Sequence, residues 1–104
     1  MDDFRVDIAG DGPVVVARVV GELDAATAPV LDEALRRVED ERQPPELVVD
    51  LSAVGFLDSS GLSVLVAHHK RLRVREASFV VASPSSGIRR IFSIAGLDGV
   101  LTIR

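Results

Sequence analysis

The feature that most constrains the fold is the alternation of two hydrophobic patterns along the chain. Runs rich in β-branched and other apolar residues, at 14–20, 46–51, 77–82 and 100–103, are typical of strands. The segments between these runs carry apolar residues three or four positions apart, which is the spacing of helices that pack along one side. Because strands that alternate with helices form a sheet covered by those helices, the sequence predicts an α/β fold.

The chain begins with a predicted hairpin. Apolar and polar residues alternate at 4–8, and Gly10, Gly12 and Pro13 supply a turn before the strand at 14–20. The full element order is then ββαβαβαβ. A chain of 104 residues is too short to divide into two units that each bury an adequate core, so residues 1–104 are predicted to form one domain.

Capping and turn residues set the expected ends of the helices. Thr27 is the predicted N-cap of the first helix, because Pro29 then lies in the first turn, where its missing N–H costs nothing. This choice leaves Asp24 in the preceding loop. Residues 54–57 are predicted to form a loop before the second helix, and Gly96 is predicted to end the third helix at its C′ position.

Helical spacing also predicts which side chains face the sheet. They are Val30, Leu31, Ala34, Leu35 and Val38 on the first helix, Leu62, Leu65, Val66, His69 and Leu72 on the second, and Ile88, Ile91, Phe92 and Ala95 on the third. His69 is interpreted as a hydrogen-bonded histidine at the boundary of the core.

Composition excludes several classes of protein. The chain has no cysteine, which removes disulfides, thiolate nucleophiles and zinc–thiolate sites together. A net charge of −4 and only four aromatic residues argue against nucleic acid as a partner. No apolar run approaches the roughly 18 residues of a membrane span, and the acidic start at residues 1–3 lacks the basic residues of a secretory signal. We therefore expect a cytoplasmic protein without membrane insertion.

The one basic run, at residues 70–75, has two interpretations. The favoured one is the C-terminus of the second helix, expected to end near Arg73, where cations offset the helix dipole. The other is a docking patch for an acidic partner.

The most informative segment for function is Asp58-Ser59-Ser60-Gly61-Leu62, where the chain passes from a central strand into a helix. Plain capping by Asp58 or Ser59 is one interpretation. Gly61 in the first turn costs up to about 1 kcal/mol relative to alanine, however, and this suggests that another molecule approaches the backbone there. A serine hydroxyl at a helix N-terminus is also well placed to carry phosphate, because free N–H groups and the dipole favour an anion.

Catalytic chemistry fits this segment poorly. His68 and His69 lie nine and ten residues beyond Ser59 on the same predicted helix, roughly 14 Å away at about 1.5 Å per residue, so neither can serve as its base. Adjacent histidines also point about 100° apart on a helix, which argues against a shared metal. No catalytic residue, metal site or cofactor is expected.

Asp50 suggests a phospho-aspartate receiver, but that class needs an acidic pair after the first strand and a lysine late in the chain, and no lysine follows Lys70. We reject this interpretation. Asp24 and Asp50 are kept as candidate rim residues near Ser59, with a turn or capping role as the alternative for each.

These residues together resemble the STAS domain, and specifically the bacterial anti-sigma-factor antagonists. The resemblance runs in order from about Phe4 to Ile103, and its specific part is Asp58-Ser59-Ser60-Gly61-Leu62. The supporting segments are Gly21-Glu22-Leu23-Asp24 with Thr27-Ala28, Leu47-Val48-Val49-Asp50-Leu51, Phe56-Leu57, Ile91-Phe92 and Ala95-Gly96-Leu97. The resemblance implies a single mixed sheet of about five strands with helices mainly on one face.

It also implies a partner switch. In that family the anti-sigma factor is itself a serine kinase of the histidine-kinase-like ATPase fold, and it phosphorylates the hydroxyl that corresponds to Ser59. The unmodified antagonist binds the anti-sigma factor and releases the sigma factor, and a serine phosphatase restores this form. The implied partner-binding residues are Asp24, Thr27, Asp58, Ser59, Ser60, Gly61 and Leu62.

Two alternatives remain open on the sequence. One is a STAS subunit of a lipid ABC-transport or stress-signalling complex, in which Ser59 is a docking residue or the target of another kinase. The other is a small enzyme or nucleotide-binding domain.

Overall fold

The strands and helices follow the predicted order. In the computed structural model, which describes residues 4–104, they are β1 (Arg5–Ala9), β2 (Val14–Leu23), α1 (Ala28–Arg42), β3 (Glu46–Leu57), α2 (Ser59–Val74), β4 (Ser78–Ala82), α3 (Ser86–Ile94) and β5 (Thr102–Ile103). The acidic start at residues 1–3 lies outside the described residues.

The five strands form one mixed sheet in the order β1-β2-β3-β4-β5. β1 and β2 are the antiparallel hairpin, and every later pair is parallel. Ala17, Val49 and Val81 lie side by side in one row, and they share a single buried core with residues from all three helices. The helices therefore cover one face of the sheet, as predicted, because successive crossovers of the same hand step along the sheet in the same direction.

The third strand is longer than the sequence predicted. Residues 54–57, expected to form a loop, continue β3, and Val54 and Leu57 pair with Gly21 and Leu23 on β2. The register of this pairing shifts twice along β2, between Arg18 and Val20 and between Gly21 and Glu22. Such irregularities break the alternation by which a strand is recognised in a sequence, so the extension looked like a loop.

The helix ends agree with the capping residues, and two inward-facing residues were assigned wrongly. Val30 is half exposed on α1, and Ala95 lies at the exposed C-cap of α3. On α2 the fully buried histidine is His68. His69 is half-buried at the boundary of the core, as predicted, but neither of its ring nitrogens has a hydrogen-bond partner among residues 4–104, so its interpretation as a hydrogen-bonded histidine is wrong. Gly96 follows α3 with a φ of 73°, the left-handed conformation expected at its C′ position.

Within the part of the chain that the structure describes, none of the helices is both long enough and apolar enough to cross a lipid bilayer.

Candidate functional site

The Asp58–Leu62 segment lies where β2 and β3 end together. Leu23, the last residue of β2, pairs with Leu57, the last of β3, and the backbone N–H of Asp58 donates to the carbonyl of Leu23 at 3.2 Å. Because the two strands are parallel, the loop after β2 and the start of α2 emerge at the same edge of the sheet. The structure therefore brings the candidate residues of both segments to one place.

Asp58 is the N-cap of α2. Its Oδ1 accepts hydrogen bonds from the backbone N–H groups of Ser60, at 2.9 Å, and Gly61, at 3.4 Å. The first of the two capping alternatives is thus correct, and Ser59 is not needed for it. Ser59 occupies the first helical position, is exposed, and makes no side-chain hydrogen bond to any of residues 4–104. Ser60, beside it, is half-buried.

Gly61 is buried, and the close approach made there comes from within the chain. A Cβ at this position would lie 2.7 Å from Cγ of Leu23 and 3.2 Å from Cγ of Leu57, distances that real Cβ atoms do not tolerate without movement. The interpretation that this glycine admits a second molecule is therefore wrong. It lets the start of α2 pack directly on the ends of the two strands.

Asp24 and Thr27 tie together the loop between β2 and α1. Oγ1 of Thr27 donates to the carbonyl of Glu22 at 2.7 Å and accepts from the backbone N–H of Asp24 at 2.9 Å. Oδ1 of Asp24 accepts from the N–H groups of Ala26 and Thr27, at 3.0 and 3.1 Å. Thr27 is the N-cap residue by position, as predicted, but its side chain makes no capping hydrogen bond to α1. Both side chains fix the loop after β2, which lies at the same edge of the sheet as the start of α2.

An open, largely apolar groove begins at Ser59 and follows α2. Its volume is about 510 Å³, and Leu62 and Val66 of α2 face Ala95 and Leu97 across it. Leu62 is half-buried, so part of its apolar surface remains available beside the serine.

Asp50 lies away from this edge. It sits within β3, where it pairs with Arg18 and Ala82 and accepts from the backbone N–H of Ser52 at 2.9 Å. Leu57 lies seven positions further along the strand, roughly 20 Å at the usual rise. Its assignment to the rim near Ser59 is wrong.

A charged cluster between α1 and α2 was not predicted from the sequence. Nε2 of His68 lies 2.7 Å from Oδ1 of Asp32, and Nδ1 contacts the buried carboxylate of Glu39, which also accepts from Nε of Arg71 at 2.7 Å. Since carboxylate oxygens only accept, the ring can donate to both acids only when both of its nitrogens carry a proton.

The acids of this cluster are held in their ionised form. Burial alone would raise the pKa of Glu39, but the hydrogen bonds from His68 and Arg71 outweigh it, and the pKa lies below its ordinary value. Desolvation would likewise raise the pKa of Asp32, but its hydrogen bonds to His68 and Arg36 together outweigh this effect and lower the pKa. A signal was present in the sequence: His68 is three residues from Leu65 and four from Leu72, and Asp32 and Glu39 are seven apart on α1.

Comparison with known proteins identifies the family. A sequence model of the STAS domain matches residues 5–104. The chain is 40% identical over 86 residues to an anti-sigma-B factor antagonist of Listeria monocytogenes, covering 83% of this chain and 75% of that protein. It is 38% identical over 97 residues to the anti-sigma-F factor antagonist RsfB of Mycobacterium tuberculosis, covering 93% of this chain and 78% of that one.

The fold agrees with these sequence matches. A crystal structure of an anti-sigma factor antagonist from Mycobacterium paratuberculosis superposes with a TM-score of 0.88 and 37% identity, over 97% of this chain and 85% of that one. The chain therefore belongs to the STAS domain family, among proteins named anti-sigma factor antagonists.

Proposed function

We propose that this chain is an anti-sigma factor antagonist whose binding is switched off by phosphorylation of Ser59. The observation that carries the proposal is the setting of Ser59: an exposed hydroxyl at the first position of a helix that Asp58 already caps. Similar proteins of Listeria monocytogenes and Mycobacterium tuberculosis are named anti-sigma factor antagonists. A binding role needs no catalytic base, metal or cofactor.

Phosphorylation at this position should leave the fold in place. Ser59 takes no part in capping α2 or in the core, so modifying it breaks no side-chain hydrogen bond among the described residues. The phosphate adds about −1.5 to −2 charges at pH 7, and the helix N-terminus offsets part of this charge. The adjacent Asp58 carboxylate repels it. The main effect should therefore fall on whatever docks against Ser59.

The proposed docking surface consists of Ser59, Ser60 and Leu62 of α2, together with the loop held by Asp24 and Thr27. Gly61 belongs to it only indirectly, since it is buried and sets the position of α2. The apolar groove beside Leu62 continues this surface, so a partner that fits a neutral hydroxyl would also cover apolar area. A phosphate dianion at the start of that groove would reduce the binding free energy of the partner by roughly 3–4 kcal/mol, which weakens binding several hundredfold.

The partner in this proposal is a cytoplasmic anti-sigma factor that is also a serine kinase of the histidine-kinase-like ATPase fold, and a serine phosphatase reverses the modification. The test is intact-mass spectrometry of the chain after incubation with this kinase and ATP. We expect one added phosphate on the unmodified chain and on Ser60→Ala, and none on Ser59→Ala. Phosphate on Ser60 would contradict the proposal. Co-purification from cells with an ABC transporter, and not with a histidine-kinase-like ATPase, would also contradict it and favour a transport or other signalling assembly.

A further inference from the structure

A second cavity lies at the edge of the sheet, near the opposite end of α2 from Ser59. β5 pairs with β4 only at Val80 and Val81, so within residues 4–104 no strand lies beside the edge of β4 before Val80. The cavity occupies this place and is lined from α2, β4 and the segment around β5. Its volume of about 410 Å³ lies in the range of small-molecule sites.

The polar groups on the cavity wall are cationic or can donate hydrogen bonds. Arg73 of α2 and Arg104 contribute guanidinium groups, Ser78 and Thr102 contribute hydroxyls, and no aspartate or glutamate from residues 4–104 lines the cavity. Among those same residues Arg73 forms no salt bridge. Among them Arg104 forms one salt bridge, in which its Nη1 lies 3.6 Å from Oε2 of the half-buried Glu46.

His69 is the feature that points to a ligand. Both of its ring nitrogens are shielded from solvent, and neither has a hydrogen-bond partner among the described residues. Buried polar atoms in folded proteins are nearly always hydrogen-bonded. Burial and the neighbouring Arg73 guanidinium lower the pKa of His69, so the ring is neutral at pH 7 and has one N–H to donate. Since both nitrogens are shielded, a turn of the ring about its χ2 angle would be needed to bring one of them to the cavity, where an anionic oxygen would accept its N–H and neutralise Arg73.

We propose that this cavity binds the phosphate group of a small molecule through Arg73, Arg104 and His69. Phosphate is favoured over a carboxylate because two guanidiniums, an imidazole N–H and two hydroxyls offer more donors than two carboxylate oxygens can accept. Free phosphate and the phosphate of a larger molecule share this chemistry. The site does not involve Ser59 and is independent of the partner switch.

The test is an NMR titration of the histidine ring signals of the whole chain at pH 7.5 with inorganic phosphate, pyrophosphate or acetate. We expect phosphate to shift the His69 signals, identified by their loss in His69→Gln. Arg73→Ala should weaken binding about tenfold, as expected for one charge-assisted contact. Arg90→Ala, which removes the same charge from an exposed position on α3, should leave it within twofold.

Tighter binding of pyrophosphate would assign the site to a larger phosphorylated ligand, and equal binding would assign it to free phosphate. The proposal is overturned if the His69 signals do not move, or if acetate shifts them equally. It is also overturned if Arg90→Ala weakens binding as much as Arg73→Ala does, since general charge attraction would then explain the effect.

Discussion

The two halves of α2 are held to the rest of the molecule in opposite ways. At its start, Asp58 caps the helix and Gly61 packs on the strand ends, while the side chain of Ser59 is exposed and forms no hydrogen bond with residues 4–104. Further along, His68 is completely buried and joined to two acids of α1. The difference shows how one helix can present a modifiable residue on a rigid support. Fixing the second half positions the first, so the start of the helix can carry a new charge without moving.

The largest effect should come from breaking the buried half. His68→Phe leaves the carboxylate of Glu39 buried with only Arg71 as a partner, and losing one member of a buried charged group costs about 3 kcal/mol. Urea unfolding should show this loss. Lys70→Ala, at an exposed position on the same helix, should change the free energy of unfolding by less than about 0.5 kcal/mol. Equal losses in the two variants would mean that the cluster does not anchor α2.

A smaller effect is expected at the glycine that seats the start of α2. Gly61→Ala places a methyl group against Leu23 and should cost about 1–2 kcal/mol through overpacking. The matched control is Gly87→Ala in the first turn of α3, where the nearest atom is Oγ of Ser85 at 3.9 Å. That variant should be neutral or stabilising by up to about 1 kcal/mol, because alanine is the better helix former. Thermal unfolding of both variants checks the pair, and equal behaviour would refute the packing role of Gly61.

Substitutions at the capping residue and at the proposed modification site should affect the free energy of unfolding differently. Asp58→Ala removes the acceptor for two backbone N–H groups and should cost about 1 kcal/mol. Ser59→Ala, one residue away, should stay within about 0.5 kcal/mol of the unaltered chain. Denaturant unfolding of both variants is the test. A larger loss of stability in Ser59→Ala than in Asp58→Ala would contradict the claim that this hydroxyl does not stabilise the fold.

The smallest effect concerns the pH dependence of stability. The pKa values of Asp32 and Glu39 lie below their ordinary values of 3.8 and 4.5, so the folded state prefers the ionised acids. Their contribution is complete above those ordinary values and is lost as the pH falls through the lowered ones. Glu39→Gln should therefore flatten the decline of unfolding free energy between about pH 5 and pH 3. Glu33→Gln, an exposed acid on the same helix, should leave the slope unchanged, and identical slopes in both variants would contradict the linkage.

Sequence patterns were sufficient for the features set by local chemistry. The hairpin, the left-handed Gly96 and a cap on α2 from either Asp58 or Ser59 each depend on residues close together in the chain, and the structure decides for Asp58. The arrival of the loop after β2 and the start of α2 at one edge of the sheet also followed, because the ends of neighbouring parallel strands meet there.

What the sequence could not show depends on contacts between distant segments. His68 and His69 fit the apolar stripe of α2 about equally well, and only the acids of α1 decide which one is buried. The reason for Gly61 lies in Leu23, far away in the sequence. The extension of β3 was not predicted because it depends on shifts of register along β2, and no local sequence pattern predicts such shifts.

The most direct test of the central claim is the affinity of the anti-sigma factor for the chain before and after phosphorylation of Ser59, measured by calorimetry alongside urea unfolding of both forms. We expect the affinity to fall several hundredfold, a loss of roughly 3–4 kcal/mol, while the free energy of unfolding changes by less than about 1 kcal/mol. Equal affinity of the two forms would contradict the switch. A lost affinity accompanied by a comparable loss of stability would show that phosphate acts by disrupting α2 and not at its docking surface.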